Sequence, residues 1–212
     1  MGIKIKVCGL TKPSDVSICA MFDVNYVGLV FHQNSKRHLS FASAKQISSL
    51  VPKGIVKVGL TVDPLDRELD ELLTEVQLDT IQLHGSETPE RVRNIRENFG
   101  LPIIKSISIS QKTDLALIDE YYGYADQLLI DAKRPTSSLI PGGNGVTFDW
   151  RLISEFNWKI PWMLAGGLNS SNIGEAIKIS GANQVDISTG VEANPGVKDR
   201  ELIKQFVNAA RK

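Results

Sequence analysis

Cys8 and Asp131 each close a short expected strand, and face to face they would form an acid/base pair. Cys8 ends the run from Ile3 and is followed by Gly9, while Asp131 follows Leu128, Leu129 and Ile130. A thiolate that takes a proton from carbon and a carboxylic acid that gives one to oxygen need neither a metal nor a redox cofactor. A carboxyl group leaving an apolar interior at that point can keep its proton for such a step. Each residue also has a plainer reading: an isolated cysteine is most often a small buried hydrophobe, and Asp often caps a turn. Two small-residue stretches, Ala165-Gly166-Gly167-Leu168 and Ser188-Thr189-Gly190, suit an anion, because glycine lets backbone N–H groups approach a phosphate closely. Arg37, within Asn34-Ser35-Lys36-Arg37-His38, has the planar fork that fits a carboxylate, yet by itself it reads better as part of a solvated basic loop. His32 and His84 read as hydrogen-bonding or packing residues, since two histidines with no third nearby make a poor metal site. Cys19, beside Ile18 and Ala20, reads as packing, as do Trp150, Trp158 and Trp162.

The elements that must position these groups are legible in the alternation of short aliphatic runs with amphipathic stretches. Strands are expected at Ile3 to Cys8, Tyr26 to Phe31, Val56 to Leu60, Thr80 to Leu83, Ile103 to Ser106, Gln127 to Asp131, Trp162 to Ala165 and Gln184 to Ile187. Helices are expected at Pro13 to Met21, Ser40 to Leu50, Asp66 to Val76, Pro89 to Phe99, Thr113 to Tyr122, Asp149 to Phe156, Asn169 to Ser180 and Lys198 to Arg211. Strands apolar on both faces belong to a parallel sheet with helical crossovers. Eight units in 212 residues, about 26 residues each, fit one α/β domain over residues 1–212, a (β/α)8 barrel with short loops. A doubly wound sheet would open with GxGxxG, and Cys8-Gly9-Leu10-Thr11 stands there instead. In such a barrel the site forms at the carboxyl ends of the strands, which favours a functional Cys8 and places both glycine stretches after strands seven and eight. Ala132 to Val146, rich in Pro, Gly and Ser, has the character of a functional lid.

Charge and composition narrow the partners. The 24 Lys and Arg balance 24 Asp and Glu, which argues against general binding to nucleic acid or to a membrane surface. The start Met-Gly-Ile-Lys-Ile-Lys alternates apolar and charged residues, unlike a signal peptide, so a cytoplasmic protein is expected. Two cysteines are too few for a disulfide framework.

Taken together, these motifs resemble the phosphoribosylanthranilate isomerase family. The resemblance rests on Lys6-Val7-Cys8-Gly9-Leu10-Thr11, Ser35-Lys36-Arg37, Val58-Gly59-Leu60 with Val62-Asp63, Ile81-Gln82-Leu83-His84-Gly85 and Leu129-Ile130-Asp131. It continues through Gly142 to Trp150, Ala165 to Asn169, Val185 to Glu192 and Pro195-Gly196-Val197-Lys198-Asp199, in the family's order. It implies an Amadori rearrangement in tryptophan biosynthesis, with Cys8 as general base and Asp131 as general acid. It also implies that Arg37 faces the anthranilate carboxylate, contrary to its reading in isolation. Gly166, Gly167, Ser188, Thr189 and Gly190 would hold the phosphate, with Asp186 and His84 lining the pocket. A phosphosugar substrate is expected, no cofactor or metal, and a monomer or homodimer. Ala165, Thr189 and Asn144 depart from the family pattern without removing a catalytic group. Three rivals differ in what they need. The aminoaldose isomerase of histidine biosynthesis has an Asp at the base position, and a metal-dependent epimerase would recruit His32, His84, Asp131 and Asp186. A non-catalytic phosphate-binding barrel would need neither Cys8 nor Asp131.

Overall fold

A computed structural model describes residues 2–133 and 147–212. Eight parallel strands close on themselves in sequence order: β1 (Lys4–Cys8), β2 (Tyr26–Val30), β3 (Val56–Thr61), β4 (Thr80–Leu83), β5 (Ile103–Ile109), β6 (Gln127–Ala132), β7 (Trp162–Leu164) and β8 (Gln184–Ile187). The expected (β/α)8 barrel is therefore the fold. Between the strands run α1 (Pro13–Met21), α2 (Phe41–Ser49), α3 (Asp66–Glu75), α4 (Pro89–Phe99), α5 (Ala116–Glu120), α6 (Ile173–Ser180) and α7 (Arg200–Ala210).

Local chemistry fixes the helix ends. Pro13 and Pro89 supply the preset φ of a first turn. Ser40 and Thr88 accept from Ser43 N–H and Arg91 N–H, and Asp199 accepts from Leu202 N–H at 2.9 Å. α4 stops at Gly100 and α6 at Gly181, both in the left-handed region.

Alternation along the strands sorts side chains into two cores. Val58, Ile104, Leu129, Met163 and Ala165 fill the barrel interior, while Val7, Leu29, Ile81 and Ile130 lie in the larger layer beneath the helices. At the amino end Tyr26 Oη donates to Gln184 Oε1 at 3.0 Å and Gln127 Nε2 donates to the same atom at 3.3 Å. Polar side chains thus pair with one another inside that end of the barrel.

Four expected helices differ from those observed. Asp149 to Phe156 yields only a 3-10 turn, Trp150–Ile153, whose start the Asp149 carboxylate caps at Arg151 N–H. Beyond that turn, stacking of Trp158 on Trp162 at 4.2 Å covers the flank of the barrel. Thr113 to Tyr122 divides into a 3-10 turn, Lys112–Leu115, and α5. The helix expected from Asn169 begins at Ile173, since Asn169 Oδ1 draws in Ser171 N–H and Asn172 N–H and folds the preceding residues into a side-chain turn. The last helix begins at Arg200 because Val197–Lys198 (β10) pairs antiparallel with Glu192–Asn194 (β9). The lid-like segment of the sequence, with Asn144, falls almost wholly outside the described residues. No helix among the described residues is long and apolar enough to cross a membrane.

Candidate active site

The inward face of β1 carries Lys6 and Cys8, in register with Tyr26 and Gly28 of β2, and Lys6 also with Asp186 of β8. Glycine at 28 makes room for the thiol: a Cβ there would stand 2.7 Å from Cys8 Sγ. Beneath the thiol, Lys6 Nζ donates to Asp186 Oδ1 at 2.9 Å, with the lysine fully enclosed. Burial pushes the Cys8 thiol up; Lys6 and Lys198 pull it down, and Asp186 pushes it further up. Lys6 itself is held above the ordinary lysine value, since Asp186 and Cys8 together outweigh the effect of its burial.

On the far side of the barrel Asp131, at the end of β6, is almost fully buried. Its Oδ1 accepts from Ala132 N–H at 2.8 Å, and its Oδ2 stands 3.4 Å from His84 Nε2. Gln82 Nε2 lies 2.9 Å from His84 Nδ1. With the amide in this orientation it donates to Nδ1, which places the imidazole proton on Nε2, facing Asp131. Gly166, with φ of +88°, presses against the same carboxylate: a Cβ there would meet Ala132 N at 2.7 Å and Asp131 Oδ1 at 3.2 Å. This glycine thus shapes the surroundings of Asp131 as well as its own loop.

The two glycine stretches lie against one another. A Cβ on Gly190 would collide with the Leu168 carbonyl, so the loops after β7 and β8 touch only because that position is bare. Asn172 Nδ2 donates to the Gly167 carbonyl at 3.0 Å and braces the first loop. A 3-10 turn, Thr189–Val191, forms the second. Ser188 Oγ donates to the Cys8 carbonyl at 3.0 Å, joining this loop to the thiol strand.

Arg37 is no solvated basic residue. Its Nε and Nη2 each donate to a carboxylate oxygen of Glu192 at 2.7 Å, and Nη2 also reaches Thr189 Oγ1 at 3.1 Å. Glu192, 2% exposed, accepts in addition from Lys198 Nζ at 2.7 Å. Burial opposes its charge, but Arg37 and Lys198 hold its carboxyl below the usual range. Lys198 is lowered by burial, which Glu192 only partly offsets. His32 lies apart, lining a groove with Phe31, His38, Phe41 and Glu68. Among the described residues no cluster of His, Cys, Asp and Glu is arranged to hold a metal.

The site thus joins a buried thiol, a buried carboxyl group touching an imidazole, a guanidinium and paired glycine loops around one barrel mouth. Lys6, Glu192 and Lys198 were missed as site residues in the sequence. Lys6 carried a signal, as a charge two residues before Cys8 and therefore on its face. Glu192 and Lys198 carried none of their own, because only the hairpin brings them beneath Arg37.

A family model described as N-(5'-phosphoribosyl)anthranilate (PRA) isomerase matches residues 5–209. The N-(5'-phosphoribosyl)anthranilate isomerase of Cereibacter sphaeroides is 50% identical over 210 residues, 99% of this chain and 99% of that one. The crystal structure of phosphoribosyl anthranilate isomerase from Thermotoga maritima superposes with a TM-score of 0.88 at 34% identity, covering 98% of each chain. Another solved structure, of phosphoribosyl anthranilate isomerase in complex with reduced 1-(o-carboxyphenylamino)-1-deoxyribulose 5-phosphate, gives 0.85 at 32% identity, also covering 98% of each.

Proposed function

The chain belongs to the N-(5'-phosphoribosyl)anthranilate isomerase family, and from that premise we propose that Cys8 and Asp131 carry its Amadori rearrangement. The substrate, N-(5'-phosphoribosyl)anthranilate, becomes 1-(2-carboxyphenylamino)-1-deoxyribulose 5-phosphate, a step of tryptophan biosynthesis. Asp131 gives its proton to the furanose ring oxygen as the bond from that oxygen to C1′ breaks, and the anthranilate nitrogen lone pair closes the Schiff base. His84 Nε2–H then faces the carboxylate left on Asp131. Cys8, as thiolate, takes the proton from C2′, and the resulting enolamine tautomerises to the ketone. No electron leaves the substrate.

The observation that carries this reading is the placement of the thiol and the carboxyl group on inward positions at the carboxyl ends of β1 and β6, with anion-binding groups beside them. Gly166, Gly167, Ser188, Thr189 and Gly190 offer backbone N–H groups to the phosphate. Arg37, with Nε and Nη2 fixed by Glu192, turns its remaining edge to the anthranilate carboxylate. Asp186 lines the pocket between. The unit at work is the whole chain, acting as a monomer or homodimer in the cytoplasm.

Asp131→Asn tests the acid without changing its shape. Loss of general acid catalysis typically costs about 10²–10⁴-fold in rate, so kcat should fall by that order while circular dichroism and Tm hold. Turnover near that of the unsubstituted protein would remove Asp131 from the mechanism.

A further inference from the structure

Lys6 is a buried charge to which the proton transfers above give no task. It is wholly enclosed, on the inward face of β1 two residues before Cys8. Its ammonium bonds Asp186, its register partner on β8, at 2.9 Å, on the face of β1 that also carries the Cys8 thiol. Fold stability does not account for it. Val58, Ile104, Leu129 and Met163 fill the same interior with apolar atoms, and buried ion pairs are often no more stabilising than apolar side chains of equal volume.

We propose that Lys6 is a positioning residue for the base: its ammonium is the counter-ion of the Cys8 thiolate, and Asp186 sets how much of that ammonium the thiolate can claim. The inference rests on the reading of Cys8 as the base. Other charged groups also face the thiol. Lys198 on β10 and Arg37 in the loop after β2 lie on its side of the mouth, and both are already tied to Glu192. His84 and Asp131 stand across the barrel at the ends of β4 and β6 and are directed at each other. Lys6 alone of the three cations stands on the thiol's own strand, two residues away on the same inward face and wholly enclosed. In a water-excluded interior a neighbouring cation offsets part of the desolvation that would otherwise keep sulfur protonated. Asp186 competes for the same ammonium, so the pair works as a balance.

Two substitutions at this pair therefore shift the thiol in opposite directions. With Lys6→Met the thiolate loses its counter-ion and Asp186 remains. With Asp186→Asn the ammonium has the thiolate as its one anionic partner. Cysteine labelled with ¹³C at Cβ reports the Cys8 titration by NMR in the full chain without substrate, the signal being identified by its loss in Cys8→Ala. Against the unsubstituted protein, Lys6→Met should raise the midpoint by about one pH unit or more and Asp186→Asn should lower it. A role confined to holding the fold would move neither midpoint, or both the same way, and any pattern but the opposed pair overturns the inference. Should Lys6→Met not fold, Asp186→Asn decides alone, an unchanged or higher midpoint counting against the proposal. Turnover of Cys8→Ala separates the two levels. Retained turnover there defeats the base assignment whatever the NMR shows, whereas lost turnover with unmoved midpoints defeats only the role of Lys6.

Discussion

At the scale of single residues the site depends as much on what is missing as on what reacts. Gly28 has no side chain where one would press on Cys8 Sγ at 2.7 Å, and its φ is not in the left-handed region. Gly28→Ala therefore needs no strained φ, but its Cβ would also stand 3.0 Å from Cys8 Cα, so sulfur and strand are displaced together. A shift on the order of 1 Å at a reacting group costs about 10²-fold, so kcat should fall by roughly that factor and Tm should fall with it as β1 and β2 are pressed apart; an unaltered kcat would show that the thiol needs no such slot. Glu192 is a second case. Arg37 and Lys198 hold its folded-state carboxyl below the ordinary 4.5, so its contribution to stability is present above that value and lost as pH falls through the lower one. Melting curves between about pH 3 and about pH 7 should show a shallower acid loss of Tm in Glu192→Gln than in the unsubstituted chain. Equal slopes would mean that the carboxylate gains nothing from its two partners. Cys8 and Asp131 were legible in the sequence as candidates because each ends an expected strand, whereas Arg37 became one only through the family resemblance, its basic stretch reading by itself as a solvated loop. The bond between Arg37 and Glu192 was not legible, since it joins residues 155 positions apart.

At the scale of elements, buried polar ties hold the strand ends that carry the chemistry. Lys105 on β5 donates to the Gly85 carbonyl at 2.7 Å and to Glu87 Oε2 at 2.6 Å. Glu87 accepts from Asp63 N–H and Gly85 N–H, and Tyr121 Oη donates to its carbonyl. This knot fixes the loop that begins at His84. Lys105→Met leaves a buried carboxylate without its cation, a loss of about 3–5 kcal/mol. Adding Glu87→Gln keeps an acceptor for both N–H groups while removing the charge, so chemical denaturation should show part of the loss restored. A double variant no more stable than Lys105→Met would place the cost in lost packing instead. Strand periodicity was strong in the sequence, and all eight strands lie within a few residues of their expected bounds. Helices were weaker where a side chain competes with the backbone, as at Asn169.

At the scale of the whole molecule the barrel divides its labour along its axis. Gln184, Tyr26 and Gln127 satisfy one another at the amino end, the apolar plug of Val58, Ile104, Leu129 and Met163 fills the middle, and titratable side chains gather at the carboxyl end. Parallel strands bring Cys8 and Asp131, distant in sequence, to the same rim, which is why strand ends alone picked out both residues as candidates. In the proposed reaction this rim isomerises phosphoribosylanthranilate through the Cys8 thiolate. The most direct test is the decay of anthranilate-type fluorescence when EDTA-treated protein meets freshly generated substrate, with Cys8→Ala alongside. Rapid decay by the unsubstituted chain, slowed about 10²-fold or more in the variant, is the predicted result. Equal decay by both proteins, or none by a folded unsubstituted chain, would contradict the account.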